Sequence, residues 1–203
     1  MGKNVANKIS LHLAEAQARE RLSDHLHYLI TKQEGFKMRP LVILCIGSDR
    51  YTGDALGPLI GSELCENTEE CIVFGSLDHP VHAGNLVETV NIINHRYHHP
   101  IIVAIDACLG KKAEIGNVEI WEGGLQAGIA VGNRLPSVGN VSIIGVVNAG
   151  GQIGYLDLQS TPLSIVMKLS KVISGALLAV VNELIPGTIC PTSYIKRQEQ
   201  RQR

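Results

Sequence analysis

Short, continuous apolar runs are the feature that most constrains how this chain folds. PLVILCIG (40–47) has the length of a strand and no polar residue, and PIIVAIDA (100–107) is apolar until Asp106. Such runs are typical of strands that are buried on both faces. Because amphipathic segments alternate with them, the sequence predicts an α/β fold, a three-layer α/β/α sandwich with a mainly parallel, doubly wound central sheet.

The predicted elements follow one another without a linker, an internal repeat or a low-complexity block. The predicted helices cover 7–33, 54–67, 83–97 and about 162–184, and the predicted strands cover 40–47, 71–77, 100–107, 118–124 and 141–148. A chain of 203 residues has the usual size of one compact domain. We therefore expect a single domain over 1–203, with an N-terminal helix in 1–37, a long loop or mobile flap in 123–139 and a flexible tail in 195–203.

Composition narrows the class of partner. With 18 basic and 19 acidic residues the net charge is −1, so no global field attracts nucleic acid or an anionic membrane. The five cysteines are scattered and lack metal-ligand spacing, which is typical of a reducing compartment. No signal-peptide core opens the sequence, and the longest apolar stretch, 173–185, is short for a bilayer. We expect a cytoplasmic protein without nucleic-acid or membrane partners.

Two aspartates lie where strands of such a sheet end. Asp54 lies in CIGSDRYTGDALGP (45–58), directly after one apolar run, and Asp106 ends another. In doubly wound sheets, ligands bind outside the carboxyl ends of the strands, at the switch point where strand order reverses. In the common order 2-1-3-4-5, strands 40–47 and 100–107 are neighbours at that point. We therefore expect Asp54 and Asp106 to face each other across one crevice.

Two carboxyl groups held close together cannot both ionise freely. One keeps a proton while the other acts as a base on water, which is an arrangement suited to attack on an amide. The same pair also suits a divalent metal. The structural alternative is that Asp54 caps a helix and that Asp106 begins a turn. The chain has neither a GxGxxG nor a GKS/T motif, so a nucleotide site is not expected.

Four further residues are candidate substrate contacts. His79 and His82 follow a predicted strand and either orient water or substrate, become metal ligands, or cap the next helix. Asp49 either contributes to the site or pairs with Arg50 to fix the turn, while Arg50 alternatively binds a substrate carboxylate. Asn148 either donates to a developing oxyanion or holds a turn.

Four motifs carry a resemblance to a known family. CIGSDRYTGDALGP, LDHPVHAGNL (77–86), IDACLG (105–110) and SIIGVVNAGG (142–151) together resemble the YyaC-type sporulation proteins (DUF1256) of endospore-forming bacteria, over about 38–185. That group is similar to the germination protease that degrades small acid-soluble spore proteins, and more distantly to hydrogenase maturation endopeptidases. The resemblance implies a phosphorylase/hydrolase-like α/β/α sandwich and a peptidase active in the sporulating cell or forespore.

The resemblance also points to individual residues. TGDALGP (52–58) matches a TPDALGP-like motif that carries one proposed catalytic aspartate of the germination protease, which implies Asp54, and the IDA-like motif implies Asp106. In the maturation enzymes these positions are acidic metal ligands joined by a histidine after a later strand. This chain has VVNAGG there, with Asn148, so no metal or other cofactor is expected.

The expected function is hydrolysis of a peptide or small protein by an aspartate dyad. Two alternatives stay open, a non-catalytic peptide-binding protein on the same fold and a metal-assisted endopeptidase that uses Asp54, Asp106 and a histidine. The oligomeric state, including a homo-oligomer, also stays open.

Overall fold

A computed structural model describes residues 7–68, 71–127, 136–151 and 154–185. Its strands are β1 (Ile9–His12), β2 (Leu41–Cys45), β3 (Ile72–Phe74), β4 (Ile101–Gly110), β5 (Asn117–Glu122) and β6 (Val141–Ala149). Its α-helices are α1 (Ala18–Thr31), α2 (Leu56–Asn67), α3 (Leu86–Arg96), α4 (Gly154–Gln159) and α5 (Leu163–Leu184). Short 3-10 helices cover Phe36–Met38, Thr52–Ala55 and Lys112–Glu114. The expected tail in 195–203 and residues 128–135 of the expected flap lie outside the described residues.

The strands form one mixed sheet in the order β1-β5-β6-β4-β2-β3. Strands β3, β2, β4 and β6 run parallel, whereas β5 and β1 are antiparallel to their neighbours. Every residue of β2 is buried, as its continuous apolar run predicted. The predicted α/β class with a mainly parallel sheet is confirmed.

Helices cover both faces of this sheet. Alternate residues of β2 and β4, such as Ile43 and Ile105, pack with α1, α2, α4 and α5 on one face. The intervening residues, such as Leu44 and Ala104, pack with α3 and with residues near Leu125 and Val138 on the other face. This period of two divides the apolar side chains of each central strand between two cores, and it gives the predicted three layers.

The strand order differs from the expected one on one side of the sheet. The expected neighbours β2 and β4 are confirmed, but β6 rather than β5 lies beside β4. Residues 111–116 alone connect β4 to β5, and a parallel crossover needs a dozen residues or more. The chain therefore reverses direction, which makes β5 antiparallel, and β6 occupies the position between the two strands.

The predicted helix over 7–33 is wrong in its first part. Residues Ile9–His12 form the edge strand β1, in which Ile9 pairs with Ile120 and Leu11 with Val118. Leu11 fits the helical spacing of the later leucines, but it also fits the alternation of an edge strand, and pairing with β5 decides in favour of the strand. The helix itself begins at Ala18 and buries the predicted side chains of Leu22, Leu26 and Leu29.

Helix α5 was predicted to within one residue of each end. Among the described helices it alone is long and apolar enough to cross a membrane by length and composition, with a mean hydropathy of 1.8 over its most apolar window. Half of that window is buried inside the protein, and α5 packs against α1 and α2. Its apolar character therefore has a sufficient explanation in the core of the fold.

Candidate functional site

The switch point of the sheet lies between β2 and β4. After β2 the chain passes through α2 on one face to β3, and then through α3 on the opposite face back to β4. Connections that diverge from neighbouring strands in this way leave a crevice at the carboxyl ends of the strands. Cys45 pairs with Ile105 as the last β2–β4 pair, and the N–H of Ile46 donates to the carbonyl oxygen of Ile105 at 2.7 Å. Asp106 is therefore the first β4 residue beyond that pairing.

A glycine turns the loop after β2 tightly over the end of the strand. Gly47 has φ +140°, and a Cβ atom at this position would lie 2.0 Å from the carbonyl oxygen of Asp54. Only glycine tolerates both this conformation and this approach. The Thr52–Ala55 helix consequently lies close to the turn that follows β2, and it contacts β4. The loop thus brings the segment that carries Asp54 to the strand that carries Asp106.

Asp54 is held by the loop and does not cap a helix. Its Oδ2 atom accepts hydrogen bonds from the Ser48 N–H group at 2.8 Å and from the Ser48 hydroxyl at 3.0 Å. No side chain caps the N-terminus of α2, so the capping alternative is wrong. Burial raises the pKa of the Asp54 carboxyl group, and the Ser48 hydrogen bonds and the charge of His82 oppose that rise. Asp54 is therefore biased towards its protonated form.

Asp106 is buried within β4, with 8% of its surface exposed. Its Oδ1 atom accepts the Ala107 N–H group at 2.8 Å. Because β4 continues to Gly110, Asp106 does not begin a turn, and that alternative is also wrong. Burial raises the pKa of nearby Cys108 to about 12, and the negative charges of Glu119 and Asp106 add to the rise. The surroundings of Asp106 are thus poorly solvated.

His82 lies beside the same loop. Val81 pairs with Ile46 in an isolated bridge, and the carbonyl oxygen of Val81 accepts the Gly47 N–H group at 2.8 Å. His82 follows directly and is half-buried. When its ring is protonated, His82 lowers the pKa of the Asp54 carboxyl group. Of the candidate substrate contacts, His82 is the one whose charge bears on the Asp54 carboxyl group.

The other two loop candidates lie on the surface. His79 is exposed, its backbone N–H donates to the Ser76 hydroxyl at 3.1 Å, and its carbonyl oxygen accepts the Ser76 N–H group at 3.1 Å. This closed turn favours the structural role for His79. Asp49 and Arg50 are both exposed, and among the described residues no ion pair joins them, so the predicted local pair is absent.

Asn148 holds the end of β6 to α4. Its Nδ2 atom donates to the carbonyl oxygen of Asp157 at 2.9 Å, and its Oδ1 atom accepts the Ala149 N–H group at 2.9 Å. Asp157 in turn accepts the Gly151 N–H group at 2.7 Å through its carboxylate. These bonds occupy both ends of the Asn148 amide, so the structure favours the turn role over oxyanion binding.

Ser48 is the site residue that the sequence did not single out. It is buried, with 7% of its surface exposed, and it supplies both hydrogen bonds to the Asp54 carboxyl group. The available signal was its position: a small hydroxyl residue directly after a strand-ending glycine often bonds to a nearby backbone or acidic group. That signal does not reveal which acidic residue the hydroxyl binds.

The described residues contain no group of three His, Cys, Asp or Glu side chains placed to hold a metal ion. The Nδ1 atom of His82 accepts the Gly84 N–H group at 3.1 Å. Asp54, Asp106 and His82 therefore do not form a three-ligand site in this arrangement. The approach of the Asp54 and Asp106 carboxyl groups to each other stays a prediction.

Most of the chain matches one protein family. A family model described as "Protein of unknown function (DUF1256)" matches residues 10–176. The chain belongs to the DUF1256 family. A curated relative, "Uncharacterized protein YyaC" of Bacillus subtilis (strain 168), is 38% identical over 164 residues, which span 80% of this chain and 78% of the relative. The predicted YyaC-type resemblance is thereby confirmed.

A solved structure supports the fold of this family member. The [NiFe] hydrogenase maturation protease HycI from Thermococcus kodakarensis KOD1 aligns with a TM-score of 0.51 and 18% sequence identity. The alignment covers 77% of this chain and 98% of the protease. At this level of identity the similarity shows a shared α/β fold, which agrees with the expected relationship to maturation endopeptidases.

Proposed function

We propose that this protein is a peptidase in which Asp54 and Asp106 activate water for hydrolysis of a peptide bond. The observation that carries the proposal is the switch point. Asp106 is the first β4 residue beyond the last β2–β4 pair, and the Thr52–Ala55 helix that carries Asp54 contacts β4. Position and burial thus support the pair that the germination-protease motifs also select.

The surroundings of the two carboxyl groups suggest different tasks. We assign Asp54 the role of general acid, because burial raises the pKa of its carboxyl group and so favours the protonated form relative to a free aspartate. Asp106 takes one proton from water as the water oxygen attacks the carbonyl carbon, while Asp54 gives its proton to the carbonyl oxygen. When the tetrahedral intermediate breaks down, that oxygen returns its proton to Asp54, Asp106 protonates the leaving nitrogen, and the C–N bond breaks. Both carboxyl groups then return to their starting states.

The resemblance to YyaC-type proteins supports a setting for this activity. In this proposal the enzyme acts in the cytoplasm of a sporulating cell or forespore, on a peptide or small protein, without a cofactor. The fold shared with a [NiFe] hydrogenase maturation protease supports peptide-bond hydrolysis as the reaction class.

A cleavage assay tests the proposal. The wild type is incubated with small acid-soluble spore proteins and with a mixed peptide library, with and without a chelator, beside Asp54→Asn and Asp106→Asn. Each substitution is expected to lower the rate at least a hundredfold, because each removes one proton-transfer group. Asp49→Asn is the matched control, since Asp49 is an exposed carboxylate of the same loop.

The outcomes separate the alternatives. Cleavage that is lost in both dyad variants, kept in Asp49→Asn and insensitive to the chelator supports the dyad. Cleavage that the chelator abolishes supports the metal-assisted endopeptidase instead. Tight binding without cleavage by the wild type supports the peptide-binding protein and refutes the peptidase.

A further inference from the structure

The hydrogen bonds around His82 determine which of its ring nitrogens carries the proton. Its Nδ1 atom accepts the Gly84 N–H group at 3.1 Å, so in the neutral ring Nδ1 has no hydrogen. The proton must then be on Nε2, which makes Nε2 a donor. Among the described residues no group is hydrogen-bonded to Nε2.

Hydrogen bonds also fix the backbone around His82. Its N–H group donates to Oδ1 of Asn85 at 2.8 Å, and its carbonyl oxygen accepts the N–H groups of Asn85 and Leu86 at 3.0 and 2.9 Å. A Cβ atom on Gly84 would lie 3.1 Å from Cε1 and 3.2 Å from Nδ1 of His82. The ring therefore packs closely on a glycine backbone and has little freedom to turn over.

The position of His82 links this donor to the candidate dyad. Val81 bonds to Gly47, Gly47 leads to Ser48, and Ser48 binds the carboxyl group of Asp54. His82 thus lies beside the loop that holds Asp54.

We propose that His82 binds the carbonyl oxygen of the scissile peptide through its Nε2–H group, as a second donor beside Asp54. This inference rests on the proposed function and names the residue that stabilises the developing oxyanion. It assigns His82 neither the task of general base nor that of metal ligand. Both of those tasks need an unprotonated Nε2, and the bond from Gly84 leaves the proton there.

Two substitutions separate a substrate donor from a structural cap. In His82→Gln the side-chain amide reaches the place of Nε2 and can donate, whereas in His82→Asn the shorter side chain reaches only the place of Nδ1 and can accept from Gly84. A donor role predicts that Gln keeps kcat within about tenfold and that Asn lowers it about a hundredfold or more with little change in KM. A structural role predicts the opposite ranking, with Asn tolerated and Gln impaired, and that result would overturn the inference.

A third variant perturbs the ring without replacing it. Gly84→Ala keeps the N–H group and places a methyl group against the His82 ring, which must shift. We expect kcat to fall about tenfold, since small displacements of a catalytic donor are costly. An unchanged kcat would contradict the proposal that the Nε2–H group of His82 is a precisely placed donor.

Nitrogen NMR of the imidazole gives a readout that needs no turnover. The expected spectrum at neutral pH shows His82 with hydrogen on Nε2 and none on Nδ1. The opposite tautomer, with peptide hydrolysis intact, would overturn this inference and leave the proposed function standing. Absence of hydrolysis by the wild type would overturn both the proposed function and the substrate contact, whatever the tautomer.

Discussion

Asp54→Asn is expected to make the protein more stable at neutral pH while it abolishes activity. The Asp54 carboxyl group is half-buried, and burial raises its pKa in the folded state. At neutral pH the carboxyl group is ionised in the unfolded chain, so bringing it into this site costs free energy on folding, and an uncharged amide of the same shape removes that cost.

The size of the expected gain in the free energy of unfolding follows from the contacts of Asp54. Both hydrogen bonds from Ser48 converge on one carboxyl oxygen, Oδ2, so the carbonyl oxygen of an asparagine can accept both. Each bond weakens from about 1.5–3 kcal/mol to about 0.5–1.5 kcal/mol when its acceptor loses the charge. Because the pKa of Asp54 is raised even with these bonds in place, burial outweighs them. We expect a net gain of about 1 kcal/mol in the free energy of unfolding, since partial exposure screens the charge.

Urea unfolding of both proteins as a function of pH is the assay. A carboxyl group whose folded pKa lies above its unfolded value destabilises the fold as pH rises through the folded pKa. The advantage of Asp54→Asn should therefore be present at pH 7, and it should disappear as pH falls below the ordinary value of 3.8. Asp49→Asn, at an exposed position, should change stability by less than about 0.5 kcal/mol at either pH.

One result would refute this reasoning. If Asp54→Asn is less stable than the wild type at pH 7 and the deficit disappears in acid, the ionised carboxylate stabilises the fold through Ser48. Asp54 would then have the structural role that its contacts with the loop also allow, and the general-acid assignment would lose its physical basis.

Two further predictions concern other parts of the molecule. Asn148→Ala should lower the free energy of unfolding by about 1 kcal/mol and speed amide hydrogen exchange in Gly154–Gln159, because the Asn148 side chain donates to Asp157. Unchanged exchange together with a reduced kcat would instead support the oxyanion role of Asn148. Iodoacetamide at pH 8 should label Cys65, which is exposed, well before buried Cys45 and Cys71. Cys108 should also resist labelling, because with a pKa of about 12 only about one thiol in ten thousand is ionised at that pH. The labelled residues are identified by peptide mapping with mass spectrometry. Labelling of Cys108 before Cys65 would contradict the poorly solvated environment inferred beside Asp106.

The central strands and the last helix could be predicted from sequence because local pattern and tertiary environment agree there. Strands β2 and β4 are continuous apolar runs, and only a position between two helical layers buries the side chains on both of their faces. Helix α5 presents a broad apolar face over six turns, so its bounds of Leu163 and Leu184 followed from the spacing of its side chains.

Elements at the edge of the sheet could not be predicted in this way. Four residues, Ile9–His12, are too few for their alternation to be distinguished from helical spacing, and their strand exists because β5 offers a free edge. The position of β6 between β4 and β5 likewise depends on the short 111–116 connection, which forbids a crossover but does not say which strand fills the gap.

The sequence by itself determined the α/β class, the switch point between β2 and β4, and two aspartates, one in the turn after β2 and one within β4. Strand burial and the position of an acidic residue relative to an apolar run are local properties of the chain. Only the tertiary structure decided that Ser48 binds Asp54, that the Nδ1 atom of His82 accepts the Gly84 N–H group beside the same loop, and that Asn148 donates to α4. These hydrogen bonds join groups that are brought together by the conformations of the loops over the sheet. The loop conformations depend on glycine dihedral angles and on tertiary packing, which a local sequence pattern does not specify.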